Sequence, residues 1–233
     1  MASFRKEILG QIERIDTGRI FTFRDLSFAT EKTANVAVLL SEQSRKGVLV
    51  RVEKGAYYRP KKSVLRLGKL PVYQDEQFRY LTEKLNGYIT GAYIYNKMGL
   101  TEQVATTITI ATPNPVRRFR FKNLDIECVK AYCMDYPDES LVPYLRLLDA
   151  IKDMKRIPGT TGQDIYNRVK SQYFNGYSLP ELEKIVSLAK SYPPRVRKVV
   201  ADILGDIRQT VLQTEMAKTI LLTTRFNLDY NTA

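Results

Sequence analysis

The chain has 233 residues, 44% apolar and 27% charged, with no histidine, two cysteines and a net charge of +12. That supports one large or two small cores without disulfide or metal staples, and it removes the usual general base, the usual zinc ligand and every Ser-His or Cys-His nucleophile pair. No apolar run of about 18 residues is present to span a bilayer; the opening residues Met1-Ala2-Ser3-Phe4-Arg5-Lys6-Glu7 hold no secretion-type apolar segment, so a cytoplasmic protein with no membrane partner is expected.

The charge is unevenly placed. Residues 1–68 carry 14 basic and 7 acidic side chains, residues 69–139 carry 9 of each, and residues 140–233 carry 14 against 9. A basic N-terminal third is the footprint of a phosphate-binding surface, although by charge alone a generally basic protein fits as well.

In chain order, Ser3 is placed to cap a first helix whose Ile8, Leu9, Ile12 and Ile15 recur at helical spacing, with Gly18 after its end. Ile20 and Phe21 read as a short strand. Thr22 with Asp25 begins a second short helix over residues 23–29, residues 30–33 make a turn, and a third helix runs over 35–46. On that helix Val36, Ala37 and Leu40 are expected to face the core, with Lys32, Thr33, Asn35, Glu42 and Arg45 outward. Gly47 ends it, and the period changes to that of a strand: Val48 to Val52, a turn at Glu53-Lys54-Gly55, and a return strand with Tyr57 and Tyr58. Arg51, Lys54, Arg59, Lys61 and Lys62 gather on or near this hairpin. Helix, short strand, helix, helix and basic hairpin within about sixty residues is the order of a winged helix-turn-helix. In that arrangement the third helix can enter the major groove while the wing follows phosphates.

Pro71 marks the exit from this unit. Helical pattern returns over 78–85, and Thr90 is placed to cap a helix over 91–98. Residues 106–112, 117–121 and 124–131 then read as strands. Arg117, Arg118, Arg120 and Lys122 interleave with Phe119 and Phe121, which suits a secondary nucleic-acid-facing surface with stacking aromatics; the plainer reading, that the phenylalanines point inward, is preferred. From Leu141 the pattern is helical: 141–151, 163–174, 179–191 with Ser178 and Glu181 at capping-box spacing, and 195–212. Arg195, Arg197 and Lys198 at a helix start oppose its dipole unless an anion sits there. The tail from Arg225 is polar and expected to be loose.

The fold class expected is therefore α+β: a winged helix-turn-helix over 1–68, then 69–233, β-rich to 139 and helical from 140. The candidate DNA-binding residues are Lys32, Thr33, Asn35, Arg45, Arg51, Lys54, Arg59, Lys61 and Lys62. No catalytic residue, metal ligand or cofactor motif is assigned. Cys128 and Cys133 lack redox spacing and read as buried thiols. The main rival is a Mg²⁺-dependent nuclease built on Asp125-Ile126-Glu127-Cys128-Val129-Lys130, a poor match because a cysteine stands where an acidic residue is needed. A winged helix used only for protein contacts is the third class.

The run Gly87-Tyr88-Ile89-Thr90-Gly91-Ala92-Tyr93-Ile94-Tyr95-Asn96-Lys97-Met98-Gly99-Leu100-Thr101-Glu102-Gln103-Val104, together with Gly47-Val48-Leu49-Val50-Arg51-Val52, Lys54-Gly55-Ala56-Tyr57-Tyr58 and Leu147-Leu148-Asp149-Ala150-Ile151-Lys152, resembles the antitoxin of the abortive-infection type IV toxin–antitoxin systems. The resemblance covers roughly residues 5 to 160. It implies a bacterial regulator that represses its own operon by binding duplex operator DNA, and whose C-terminal domain counters a nucleotidyltransferase-like toxin. Gln43 departs from it, standing where a leucine under the wing is expected, and the helices after Pro158 extend beyond it.

Overall fold

The computed structural model describes residues 2–61, 68–133, 138–228 and 230, with backbone only at 2 and 3. The chain is α+β and divides into two compact units, Met1–Lys84 and Leu85–Ala233.

The first unit opens with α1 (Ala2–Arg14), which starts one residue before the expected Ser3 cap, followed by β1 (Ile20–Thr22). The helix expected over 23–29 is instead a single 3-10 turn, Phe23–Asp25. The Thr22 side chain accepts from the Arg24 amide at 3.2 Å, the Asp25 side chain accepts from the Thr22 amide at 2.7 Å, and the chain becomes extended at Leu26. A capping box satisfies the amides of a first turn but does not propagate a helix. A second 3-10 turn, Thr30–Lys32, leads directly into α2 (Thr33–Arg45).

Val36, Leu39 and Leu40 of α2 pack with Ile8 and Ile12 of α1 and with Phe21, Leu26, Leu49 and Tyr57. Leu39 was not among the expected core positions, and Ala37 is only half-buried. Gln43 is buried, and its carbonyl accepts from the amides of Val48 (3.0 Å) and Leu49 (3.2 Å), tying the end of α2 to the strand that follows. Gly47 makes this turn with φ of +71°, a region that costs a residue with a Cβ. The hairpin β2 (Val50–Glu53) and β3 (Ala56–Tyr58) turns at Gly55, φ +80°, and forms an antiparallel sheet in the order β1-β3-β2.

The unit continues past the composition break near Gly68 to include α3 (Gln74–Leu85) up to Lys84. The reason is polar. The Ile20 amide on the outer edge of β1 donates to Glu76 at 2.6 Å, and the Ile20 carbonyl accepts from Arg79 at 2.9 Å. Two side chains of α3 thus occupy hydrogen-bonding positions of an edge strand, which guards it against pairing with another chain. Tyr80 and Lys84 both reach Glu53 of β2.

The second unit contains a mixed sheet ordered β4-β5-β7-β6, from β4 (Tyr88–Thr90), β5 (Thr107–Thr112), β6 (Arg118–Phe121) and β7 (Leu124–Lys130). β5 and β7 are parallel; the outer pairs are antiparallel. The short helix α4 (Ala92–Lys97) follows β4. Gly91, not Thr90, is its cap residue, because the Thr90 hydroxyl is used elsewhere. Then come α5 (Val142–Asp153), α6 (Gly162–Gln172), α7 (Leu179–Ala189), α8 (Pro194–Asp206) and α9 (Thr210–Ala217). The expected capping box of Ser178 and Glu181 is present. The single helix expected over 195–212 is broken into α8 and α9 by Arg208 at φ +61°. Apolar faces of α5 to α9 form one core around Leu145, Leu148, Ile165, Ile185 and Val199, against Tyr88 and Ala111 of the sheet. The tail is not loose at Tyr230, whose ring stacks on Tyr166 at 4.3 Å and whose hydroxyl donates to Asp202.

Candidate functional site

The outward face of α2 begins at the end of the second 3-10 turn. Lys32, Thr33 and Asn35 are exposed there, the Lys32 ammonium lies 4.6 Å from the centre of the Phe4 ring, and the Thr33 hydroxyl donates to the Thr30 carbonyl at 2.6 Å. Further along, Ala37, Val38, Ser41, Glu42 and Arg45 line an open groove of about 470 Å³. Val38 is 68% exposed, although valine is a common core residue. The sequence signal for it was available: it lies off the apolar stripe made by Val36, Leu39 and Leu40.

Glu42 is a carboxylate on a face that would otherwise attract phosphate. Its charge is held locally, by Arg5 of α1 and by Lys46, each at 2.8 Å. Hydrogen bonds from those two cations lower its pKa to about 2. Neither Arg5 nor Lys46 was singled out in the sequence, because the partnership of Arg5 crosses 37 residues.

The hairpin carries Arg51 and Lys54 exposed, the first with its Nε 3.2 Å from the Glu53 carbonyl and the second in the turn. Arg59 has a different use. Its guanidinium donates to the carbonyls of Glu13 (2.5 Å) and Ile15 (2.8 Å), capping the last turn of α1 whose acceptors would otherwise lack partners. Both bonds come from its Nη1, so this one nitrogen of a candidate DNA-binding residue is committed to the end of α1. Lys61 lies over the Tyr73 ring at 5.6 Å, and Lys62 falls outside the described residues.

The second basic cluster is arranged differently. Arg118 and Arg120 face Glu127 (2.6 Å) and Asp125 (3.9 Å) of β7, so the two carboxylates that a nuclease reading would assign to Mg²⁺ are ion-paired. Arg117 lies over the Phe119 ring at 5.1 Å, Lys122 sits in the β6–β7 turn, and Phe121 is buried. This matches the plainer reading of the strand for Phe121, with Phe119 half-buried. Among the described residues no group of three or more acidic or cysteine side chains is placed to hold a metal, and neither cysteine forms a disulfide.

Comparison with known families returns a match over residues 7–135 to the family of unknown function DUF6088. The chain belongs to DUF6088. The match spans the α2 face, the hairpin and the β4–β7 sheet, and ends before α5, so the C-terminal helices lie outside the DUF6088 region. No curated protein matches. Among solved structures, the crystal structure of the RV2827C protein from Mycobacterium tuberculosis is similar, at 13% identity and a TM-score of 0.48, covering 95% of this chain and 83% of that chain.

The strongest polar site in the second unit was missed by sequence reading. Asp149 of α5 is 2% exposed and accepts from the hydroxyls of Tyr88 (2.9 Å), Thr90 (2.8 Å) and Tyr192 (3.1 Å). Burial pushes its pKa up to about 6, against the nearby Lys152 charge and the Thr90 and Tyr88 hydrogen bonds, which pull it down. Three donors on one carboxylate fasten β4 and Tyr192, two residues before α8, to α5, a structural role.

Proposed function

We propose that the first unit is a winged-helix DNA-binding domain and that the chain is a bacterial transcriptional regulator acting on its own operon. The observation that carries this reading is the outward face of α2: exposed Lys32, Thr33, Asn35 and Arg45, with its one carboxylate, Glu42, held by two cations, followed in sequence by a hairpin bearing Arg51 and Lys54. Thr33 and Asn35 have the donors and acceptors that read base edges. Exposed Val38 adds an apolar surface suited to a thymine methyl, while Lys32, Arg51 and Lys54 supply phosphate contacts. The antitoxin resemblance extends the proposal to the second unit, which would counter a co-encoded nucleotidyltransferase-like toxin in the cytoplasm.

Fluorescence anisotropy of the full chain on its own promoter and on random duplex, at two salt concentrations, tests the DNA reading. Binding should weaken steeply with salt as counterions are released. Asn35→Ala should lower preference for the promoter by about 1 to 3 kcal/mol, and Lys54→Ala should weaken both duplexes alike. Absence of binding at low salt would remove the proposal. Loss of promoter preference in Lys54→Ala alone would make the hairpin the reader.

A further inference from the structure

β6 is the outer strand of the sheet in the second unit, and among the described residues it is paired on one side only, with β7. Its register fixes which backbone groups that pairing uses. The Cys128 amide donates to the Arg117 carbonyl at 2.8 Å, so in this antiparallel pair residues 117, 119 and 121 turn their backbone groups toward β7. The N–H and C=O groups of Arg118 and Arg120 therefore point away from it, along the edge of the sheet. Other edges are plugged by side chains: Glu76 and Arg79 take both backbone groups of Ile20 on β1, and Arg146 donates to the Ile89 carbonyl on β4 at 2.8 Å. Among the described residues no side chain does this for Arg118 or Arg120.

The side chains along that edge narrow what can pair with it. On one face Arg118 and Arg120 lie across from Glu127 and Asp125, so that Asp125-Ile126-Glu127 of β7 runs opposite Arg118-Phe119-Arg120. On the other face Phe119 is half-buried beside buried Ile126. The arginine side chains stay 80% and 72% exposed despite these ion pairs, which leaves their outer side open to a second row of carboxylates. Opposite charges directly across a strand pair stabilise it, and like charges oppose it. A second copy of β6 would bring arginine against arginine. An extended segment repeating the pattern of β7 would instead set a carboxylate opposite each arginine and an apolar side chain beside Phe119.

We propose that the outer edge of β6 takes up an extended segment of a partner protein as an added strand, one that alternates acidic and apolar residues as Asp125-Ile126-Glu127 does. Main-chain bonds to Arg118 and Arg120 attach the segment, and the side chains select it. Charged residues on an edge deter chance pairing, and arginines do so for every strand except an acidic one. The surface lies in the second unit and stands or falls separately from DNA binding by α2.

A fluorescent peptide alternating valine with aspartate and glutamate, titrated with the full chain and followed by anisotropy, tests the edge. It should bind, and the same peptide with lysine at the charged positions should not. A third peptide, N-methylated at its acidic residues, keeps the charge but lacks the donors for strand pairing, and should lose binding. Hydrogen exchange of the full chain should show new protection at the Arg118 and Arg120 amides when the first peptide is added. Arg118→Gln combined with Arg120→Gln should weaken binding by about fivefold. Both side chains are mostly exposed, and the exchange measurement on the unaltered chain stays informative whatever the variant does to stability. No binding of the acidic peptide, equal binding of its N-methylated form, unprotected amides at Arg118 and Arg120, or wild-type affinity in the double variant would each overturn the proposal. Protection of those amides that grows with protein concentration in the absence of peptide would also overturn it, and would assign the edge to a second copy of the chain.

Discussion

In the first unit the carboxylates that organise the fold lie near the surface and are held by cations: Glu42 by Arg5 and Lys46, Glu76 by Arg79, and Glu53 by Lys84. In the second they take tyrosine hydroxyls: Asp149 is bonded by hydroxyls, while Asp153, Asp202 and Asp206 each combine a hydroxyl with a lysine, Lys152, Lys198 and Lys170 respectively. Asp149 takes hydroxyls from Tyr88 and Tyr192, Asp153 from Tyr95, Asp202 from Tyr230 and Asp206 from Tyr166. A hydroxyl brings no charge of its own into the interior, so it satisfies a buried carboxylate without the full desolvation cost of a second ion. The contrast divides sensitivity between the units. Contacts of the first should answer to salt, and those of the second to pH and to loss of single buried groups.

The largest effect expected from this division is at Asp149. Replacing it with alanine leaves three hydroxyls in the core with one partner fewer, and should cost about 3 kcal/mol in urea denaturation of the full chain. Its pH dependence has a definite sign. The folded pKa, about 6, lies above the ordinary carboxylate range, so the folded state keeps a proton that the unfolded chain releases. The contribution is fully present below the unfolded pKa of about 4 and is lost as pH rises through about 6, a fall of about 3 kcal/mol that then levels off. Asp149→Asn should remove that fall. If wild type and Asp149→Asn show the same stability profile between pH 4 and 7, the buried carboxylate is not what titrates.

That residue also marks where sequence reading stops. The apolar spacing of Leu145, Leu148 and Ile151 identifies α5, and the glycines at 47 and 55 identify the end of α2 and the hairpin turn, because each is a local signal. Asp149 of the same helix is not singled out by that spacing, since its three donors come from 43 to 61 residues away. Arg59 is similar. Its position beside the hairpin suggests a phosphate contact, and only the folded chain brings it to the end of α1. The break at Arg208 falls on a residue that rarely takes a positive φ, with Gly205 three residues before it inside the last turn of α8. Of the candidate site, the exposed face of α2 was legible through its helical period, whereas the neutralisation of Glu42 depended on a contact with another helix.

A smaller effect is expected at the surface of the first unit. Arg79 bridges Glu76, Glu83 and the Ile20 carbonyl, with its side chain partly exposed. Arg79→Met keeps much of the aliphatic length but removes these bonds, and should lower local stability by about 2 kcal/mol. The readout is amide hydrogen exchange at Ile20, whose N–H donates to Glu76. Protection there should drop more in the variant than at Leu40 in the core. Equal loss at both positions would show that Arg79 supports the whole unit rather than the edge of β1.

The smallest effect should come from the basic strand of the second unit, and it is the sharpest check on which basic surface matters. Arg118 is 80% exposed on its side chain, and its partner Glu127 is 31% exposed. Water and salt screen such a pair, and holding two flexible side chains together costs entropy, so Arg118→Gln should change stability by less than about 0.5 kcal/mol. The same variant should leave duplex DNA affinity within about twofold of wild type, because Glu127 already balances the charge that Arg118 would offer to phosphate. Anisotropy on the promoter duplex, run beside Lys54→Ala, separates the two surfaces. A loss in Arg118→Gln as large as that in Lys54→Ala would mean that the strand also contacts DNA, and the phosphate-binding surface would then have to include the second unit.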